Sequence, residues 1–66
     1  MKMTEVEARR IELESRRMEP GLTVTEANEV RDCEIALGMI DVSPSTRAEA
    51  ARRVELYAAA RRVRPI

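Results

Sequence analysis

The chain has 66 residues, so it holds one domain at most, near the size where a single core is barely sufficient. Basic and acidic side chains balance at 12 each, which removes any global electrostatic pull toward nucleic acid or membrane. With no His and only two Gly there is no imidazole for acid–base work or metal ligation, and no glycine-rich phosphate loop.

The core material is thin. Nine of the 29 apolar residues are Ala, which favours helix but buries little, so self-association or a partner is expected to supply part of the stability. A lone Cys33 excludes an internal disulfide framework and zinc-finger chemistry. No apolar run approaches the length of a membrane span or a signal-peptide core, and together these features predict a cytoplasmic protein. The charge is unevenly spread: residues 1–41 carry six basic and ten acidic side chains, residues 42–66 six basic and two acidic. Such a dipolar chain can fold acid onto base, pair with itself, or offer its basic end to an anion.

Thr4-x-x-Glu7, Thr23-x-x-Glu26 and Thr46-x-x-Glu49 each have the spacing of a reciprocal capping box, and each precedes a run rich in Ala, Glu and Arg. They predict three helices. The first is expected over about 5–19, stopped by Pro20-Gly21 and laced by pairs Glu5–Arg9, Glu12–Arg16, Glu7–Arg10 and Glu14–Arg17. Its apolar residues form two strips, Ile11 with Met18 and Val6 with Leu13.

The second helix is expected over about 24–38, with Gly38 as a left-handed cap and Val30, Cys33 and Leu37 as an apolar seam suited to self-association. Beyond it, 39–46 reads as a hinge, because Pro44 disfavours helical backbone at Ser43. Met39 and Ile40 either extend the second helix through Gly38 or fall into the core from the hinge. The third helix is expected over about 47–63, also with two strips: Ala50, Val54, Tyr57 and Arg61 against Leu56, Ala59, Ala60 and Val63. The fold class is therefore all-α, a small antiparallel three-helix bundle completed by dimerisation.

Ala8-Arg9-Arg10-Ile11-Glu12-Leu13 returns as Ala51-Arg52-Arg53-Val54-Glu55-Leu56, and Arg16-Arg17-Met18-Glu19-Pro20 as Arg61-Arg62-Val63-Arg64-Pro65. The offsets are 43 and 45 residues, so either a single duplication or biased composition accounts for them. A duplication would give the first and third helices similar surfaces.

No catalytic constellation emerges. Cys33 lacks an imidazole partner and sits on the apolar seam, as a buried structural thiol would, and the carboxylates are spaced for surface ion pairs. No enzyme, cofactor, metal or small-molecule substrate is expected, nor a membrane-surface role.

The segment Leu37 to Ala50, with Val42-Ser43-Pro44-Ser45-Thr46 at the turn, resembles the turn and recognition-helix start of helix-turn-helix proteins. It departs from them at Asp41, where such turns usually have glycine, and at Arg47, where an apolar residue is usual. The resemblance implies Ser45, Thr46 and Arg47 facing bases, with Arg52 and Arg53 near phosphates. Against it, the arginines of the third helix lie around its whole circumference and the isoelectric point is 6.3. The reading ranked first is a protein-interaction module of adaptor, inhibitor or antitoxin-like kind. Its expected anchor is Arg53, Tyr57 and Arg61, since Tyr and Arg are enriched at interface hot spots.

Overall fold

A computed structural model describes residues 2–62, and these form α1 (Met3–Ser15), α2 (Val24–Ala36) and α3 (Pro44–Arg62). The helices pack as a bundle in which α2 contacts both α1 and α3, and all three meet at one apolar cluster. Val6 near the start of α1 joins Cys33 and Ala36 near the end of α2, and α3 pairs with α2 in reversed order, Arg53 with Asp32 and the later Arg61 with the earlier Glu29. Each helix thus runs back along the one before it.

Where the helices begin differs from expectation at two of three positions. Only Thr23 forms its capping box: its Oγ1 accepts from the Glu26 N–H at 3.1 Å, and its own N–H donates to Glu26 Oε1 at 3.0 Å. α1 starts two residues before Thr4 could cap it, with Lys2 in the flanking position and its carbonyl accepting from the Glu5 and Val6 N–H groups. The longer helix gains backbone bonds in place of a side-chain cap. α3 starts at Pro44, not at about 47. Proline is favoured at a first helical position, where its missing N–H would have no partner anyway. Ser43 then caps the helix, its Oγ accepting from the Thr46 N–H at 3.3 Å.

The ends have equally local causes. α1 stops at Ser15, four residues short of expectation. The ring of Pro20 would clash with the Arg16 carbonyl if the helix continued, and that carbonyl instead accepts from the Gly21 N–H at 2.9 Å. α2 ends at Ala36. Gly38 follows at φ 79°, with its N–H on the Ile35 carbonyl and the Met39 N–H on the Glu34 carbonyl, the paired bonds of a Schellman cap. Met39 then points to solvent, 55% exposed, and only Ile40 is half-buried, so the expectation that both enter the core holds for neither in full.

Val6, Cys33, Ala36 and Val54, one or more from each helix, make the central apolar cluster, with Leu37 and Ala51 packed on its edge. Leu13, Val30 and Cys33 are the largest wholly buried side chains. Of the two strips expected on the first helix, Val6 and Leu13 go inside, while Ile11 and, beyond the end of α1, Met18 stay 53% and 92% exposed. α3 likewise buries Ala50, Val54 and Ala58 and leaves Leu56 68% exposed; Val63 lies outside the described residues.

The repeated hexapeptide is read out of phase by the two helices. Ile11 is exposed where its counterpart Val54 is buried, and Leu13 is buried where Leu56 is exposed. The two segments therefore present different surfaces, whatever their origin.

Candidate functional site

Two acidic side chains of α2, Glu29 and Asp32, lie almost wholly inside the molecule, 4% and 6% exposed. Three residues apart on a helix, they share a face beside the apolar Val30 and Cys33, so packing that seam draws them in as well. A buried carboxylate is tolerable only when paired and hydrogen-bonded. Arginines from both neighbouring helices meet that requirement.

Glu29 receives Arg9 of α1, from Nε to Oε2 at 2.8 Å and from Nη2 to Oε1 at 3.3 Å. Its Oε2 also accepts from Nη1 of Arg61 on α3 at 2.5 Å. Asp32 receives Arg53 of α3 in a two-bond fork, Nε to Oδ2 at 3.0 Å and Nη2 to Oδ1 at 2.9 Å. Tyr57, one turn further along α3, donates its hydroxyl to the same Oδ2 at 3.2 Å. α2 is thereby riveted to both neighbours through charge-assisted bonds.

The electrostatics follow this geometry. Hydrogen bonding to Glu29 raises Arg9, and hydrogen bonding to Asp32 raises Arg53, above the ordinary arginine value. Burial, followed by the Asp32 charge, raises the Tyr57 hydroxyl. Burial also pushes the Cys33 thiol up to about 11, with the Glu29 charge adding to the effect.

Between α2 and α3 this network borders an open groove of about 390 Å³, lined by Asn28, Arg31, Asp32 and Ile35 of α2 and by Thr46, Arg53 and Tyr57 of α3. The anchor residues expected from sequence thus divide. Arg53 and Tyr57 converge on Asp32 at the groove, while Arg61 turns to Glu29. The residues expected to face nucleic acid are also dispersed. Ser45 and Thr46 have their hydroxyls 3.2 and 2.9 Å from Ser43 Oγ, Arg47 is half-buried beside Gly38, and Arg52 is exposed. Of that set only Thr46 and Arg53 reach the groove. In the self-association seam, Val30 and Cys33 are 1% and 0% exposed within the single chain, and Leu37 packs on its core.

Sequence reasoning did not single out Glu29, Asp32 or Arg9. The expected partner of Arg9 was Glu5, and that of Arg16 was Glu12. Arg9 instead bonds Glu29 and Glu12, and Arg16 pairs with Glu26 across to α2. Of the four pairs predicted within α1, Glu14–Arg17 is the one that forms. The available signal was positional: Glu29 and Asp32 each immediately precede a seam residue.

Among the described residues no group of three or more His, Cys, Asp or Glu side chains is placed to hold a metal ion, and no helix is long and apolar enough to cross a membrane. No family model, no curated protein and no solved structure matches this chain.

Proposed function

We propose that this chain is a non-enzymatic helical module that binds a protein partner and regulates it, as an adaptor, inhibitor or antitoxin-like protein does. The observation that carries this reading is the fixing of Arg53 and Tyr57 on Asp32 at the rim of an open groove. An aromatic and an arginine already ordered before binding lose little conformational freedom in an interface, and these residue types dominate hot spots. Both nearby carboxylates are held by arginine donors, which makes either a poor general base.

The reading also includes a homodimer in the cytoplasm, where a lone thiol such as Cys33 stays reduced. Because Val30 and Cys33 serve the chain's own core, the faces open to a second copy are those bearing Ile11 and Leu56. Light scattering should give twice the chain mass for the native protein and a folded monomer for Leu56→Glu. A native monomer at high micromolar concentration would remove the dimer.

One observation favours the helix-turn-helix alternative: among the described residues Arg47 and Arg52 are not joined to any carboxylate. Arg53 and Arg61 each have part of their donor set committed to a carboxylate of α2. The deciding experiment pairs two assays. Selection from a random-peptide display library should enrich binders, and a labelled random DNA duplex should show no saturable binding at about 50 mM salt. Duplex binding that collapses by about 200 mM salt, together with no enriched peptide, would reverse the conclusion.

A further inference from the structure

Arg53 is held side-on. Its Nε and one Nη2 hydrogen go to Asp32, and a guanidinium has five N–H donors in a rigid planar fork. The Nη1 hydrogens and the second Nη2 hydrogen, along the end of the fork, remain. The side chain is 45% exposed and lines the groove, and no hydrogen bond within the described residues uses these remaining donors. The Tyr57 hydroxyl braces the same carboxylate, which keeps the fork from swinging.

Arg31 reaches the groove from α2; it is exposed and, among the described residues, carries no ion pair. Among the groove's lining residues two cations therefore face one anion, Asp32, whose oxygens are already engaged; the Glu49 charge also acts on Arg53, more weakly than Asp32. Ile35 supplies a buried apolar lining below them.

We propose that this α2/α3 groove is a docking site for an acidic segment of a protein partner, one carboxylate of which takes the free end of the Arg53 fork while Arg31 takes a second. The assignment rests on the protein-interaction reading above and specifies its partner chemistry. A carboxylate suits the vacant edge because Arg–carboxylate pairing is planar and two-pronged. A nucleic-acid backbone needs a row of cations, and the next arginine along α3 on this side, Arg61, is turned away to Glu29.

The test is a titration of the ¹⁵N-labelled full chain with a blocked octaglutamate peptide, followed by NMR. Saturable shifts confined to Arg31, Thr46, Tyr57 and the Arg53 Nε–H are expected, weakening as salt is added. Arg31→Glu touches no internal partner and should weaken binding about tenfold or more. Arg53→Lys keeps the charge on Asp32 and removes the fork; it should weaken binding similarly with helix content unchanged by circular dichroism.

Shifts that are absent, that centre on Arg47 and Arg52, or that persist in Arg31→Glu would overturn the proposal. So would tighter binding of oligothymidylate than of octaglutamate in the groove, or groove shifts produced by concentrating the chain alone, which would name a second copy as occupant. Peptides enriched by display that bind outside the groove would refute this site and leave the interaction reading standing.

Discussion

Asp32 and Arg53, 21 residues apart in the chain, meet through two hydrogen bonds of 3.0 and 2.9 Å that lock α3 onto α2. The acid is nearly buried and the base about half exposed. Removing the acid's charge leaves a cation that water can still reach, so the cost falls below that of breaking a wholly buried pair. Asp32→Asn should lower stability in urea by about 1–3 kcal/mol. Glu29→Gln should fall at the upper end of that range, since Arg9 and Arg61 both lose their acceptor and Arg9 is only 17% exposed. Changes under about 0.5 kcal/mol, the scale of an ordinary surface substitution, would mean the network contributes no net stability.

Thr23 and Thr4, both predicted as caps, should separate cleanly. Thr23→Ala is expected to cost about 1 kcal/mol, and Thr4→Ala to stay within about 0.5 kcal/mol, because only Thr23 caps a helix. Ser43→Ala should behave like Thr23→Ala, as it removes the acceptor at the start of α3. Melts of the three variants check this directly.

The same box predicts an acid limb. Hydrogen bonding to the Thr23 backbone N–H, then to its side chain, and after these the Arg16 charge hold Glu26 below the ordinary glutamate value of 4.5. A carboxylate depressed in the folded state contributes its stability in full above its unfolded value, and loses it as pH falls through the folded one. Native stability should therefore decline below pH 4.5, and Glu26→Gln should show a shallower decline. Parallel acid limbs would exclude Glu26 as a contributor.

Cys33 should be nearly inert in the folded chain. With its thiol pushed up to about 11 from an ordinary 9.0, the thiolate fraction at pH 8 falls about a hundredfold, and burial blocks access besides. Reaction with Ellman's reagent should be slow in buffer and rapid in guanidinium. Fast labelling of the native chain would require frequent opening around α2.

Leu13 and Leu56 occupy equivalent places in the repeat but are 0% and 68% exposed. In dilute solution, where a dimer would be dissociated, Leu13→Ala should cost about 2–5 kcal/mol and Leu56→Ala about 0.5 kcal/mol or less. Equal costs would contradict the out-of-phase reading of the two helices.

That pair also marks the boundary between local and tertiary information. Residues 1–66 specify three helices by themselves, because capping groups, helix formers and the stops at Pro20 and Gly38 act within one or two turns. The Gly38 cap and the Thr23 box were legible for that reason. What stayed illegible at the ends was a contest between nearby options, such as Ser43 with Pro44 against Thr46 with Glu49. Each helix of Arg, Glu and Ala carried two apolar strips, and nothing local says which one faces inward. Packing against α2 chose Val6 and Leu13 on α1 and Ala50, Val54 and Ala58 on α3. That choice also brought Arg9, Arg53 and Arg61 onto Glu29 and Asp32. Exposed pairs along a single helix are each worth only a few tenths of a kcal/mol, so they yield readily to longer-range partners. Buried carboxylates cannot be left without a cation, and only the tertiary structure determines which carboxylates are buried.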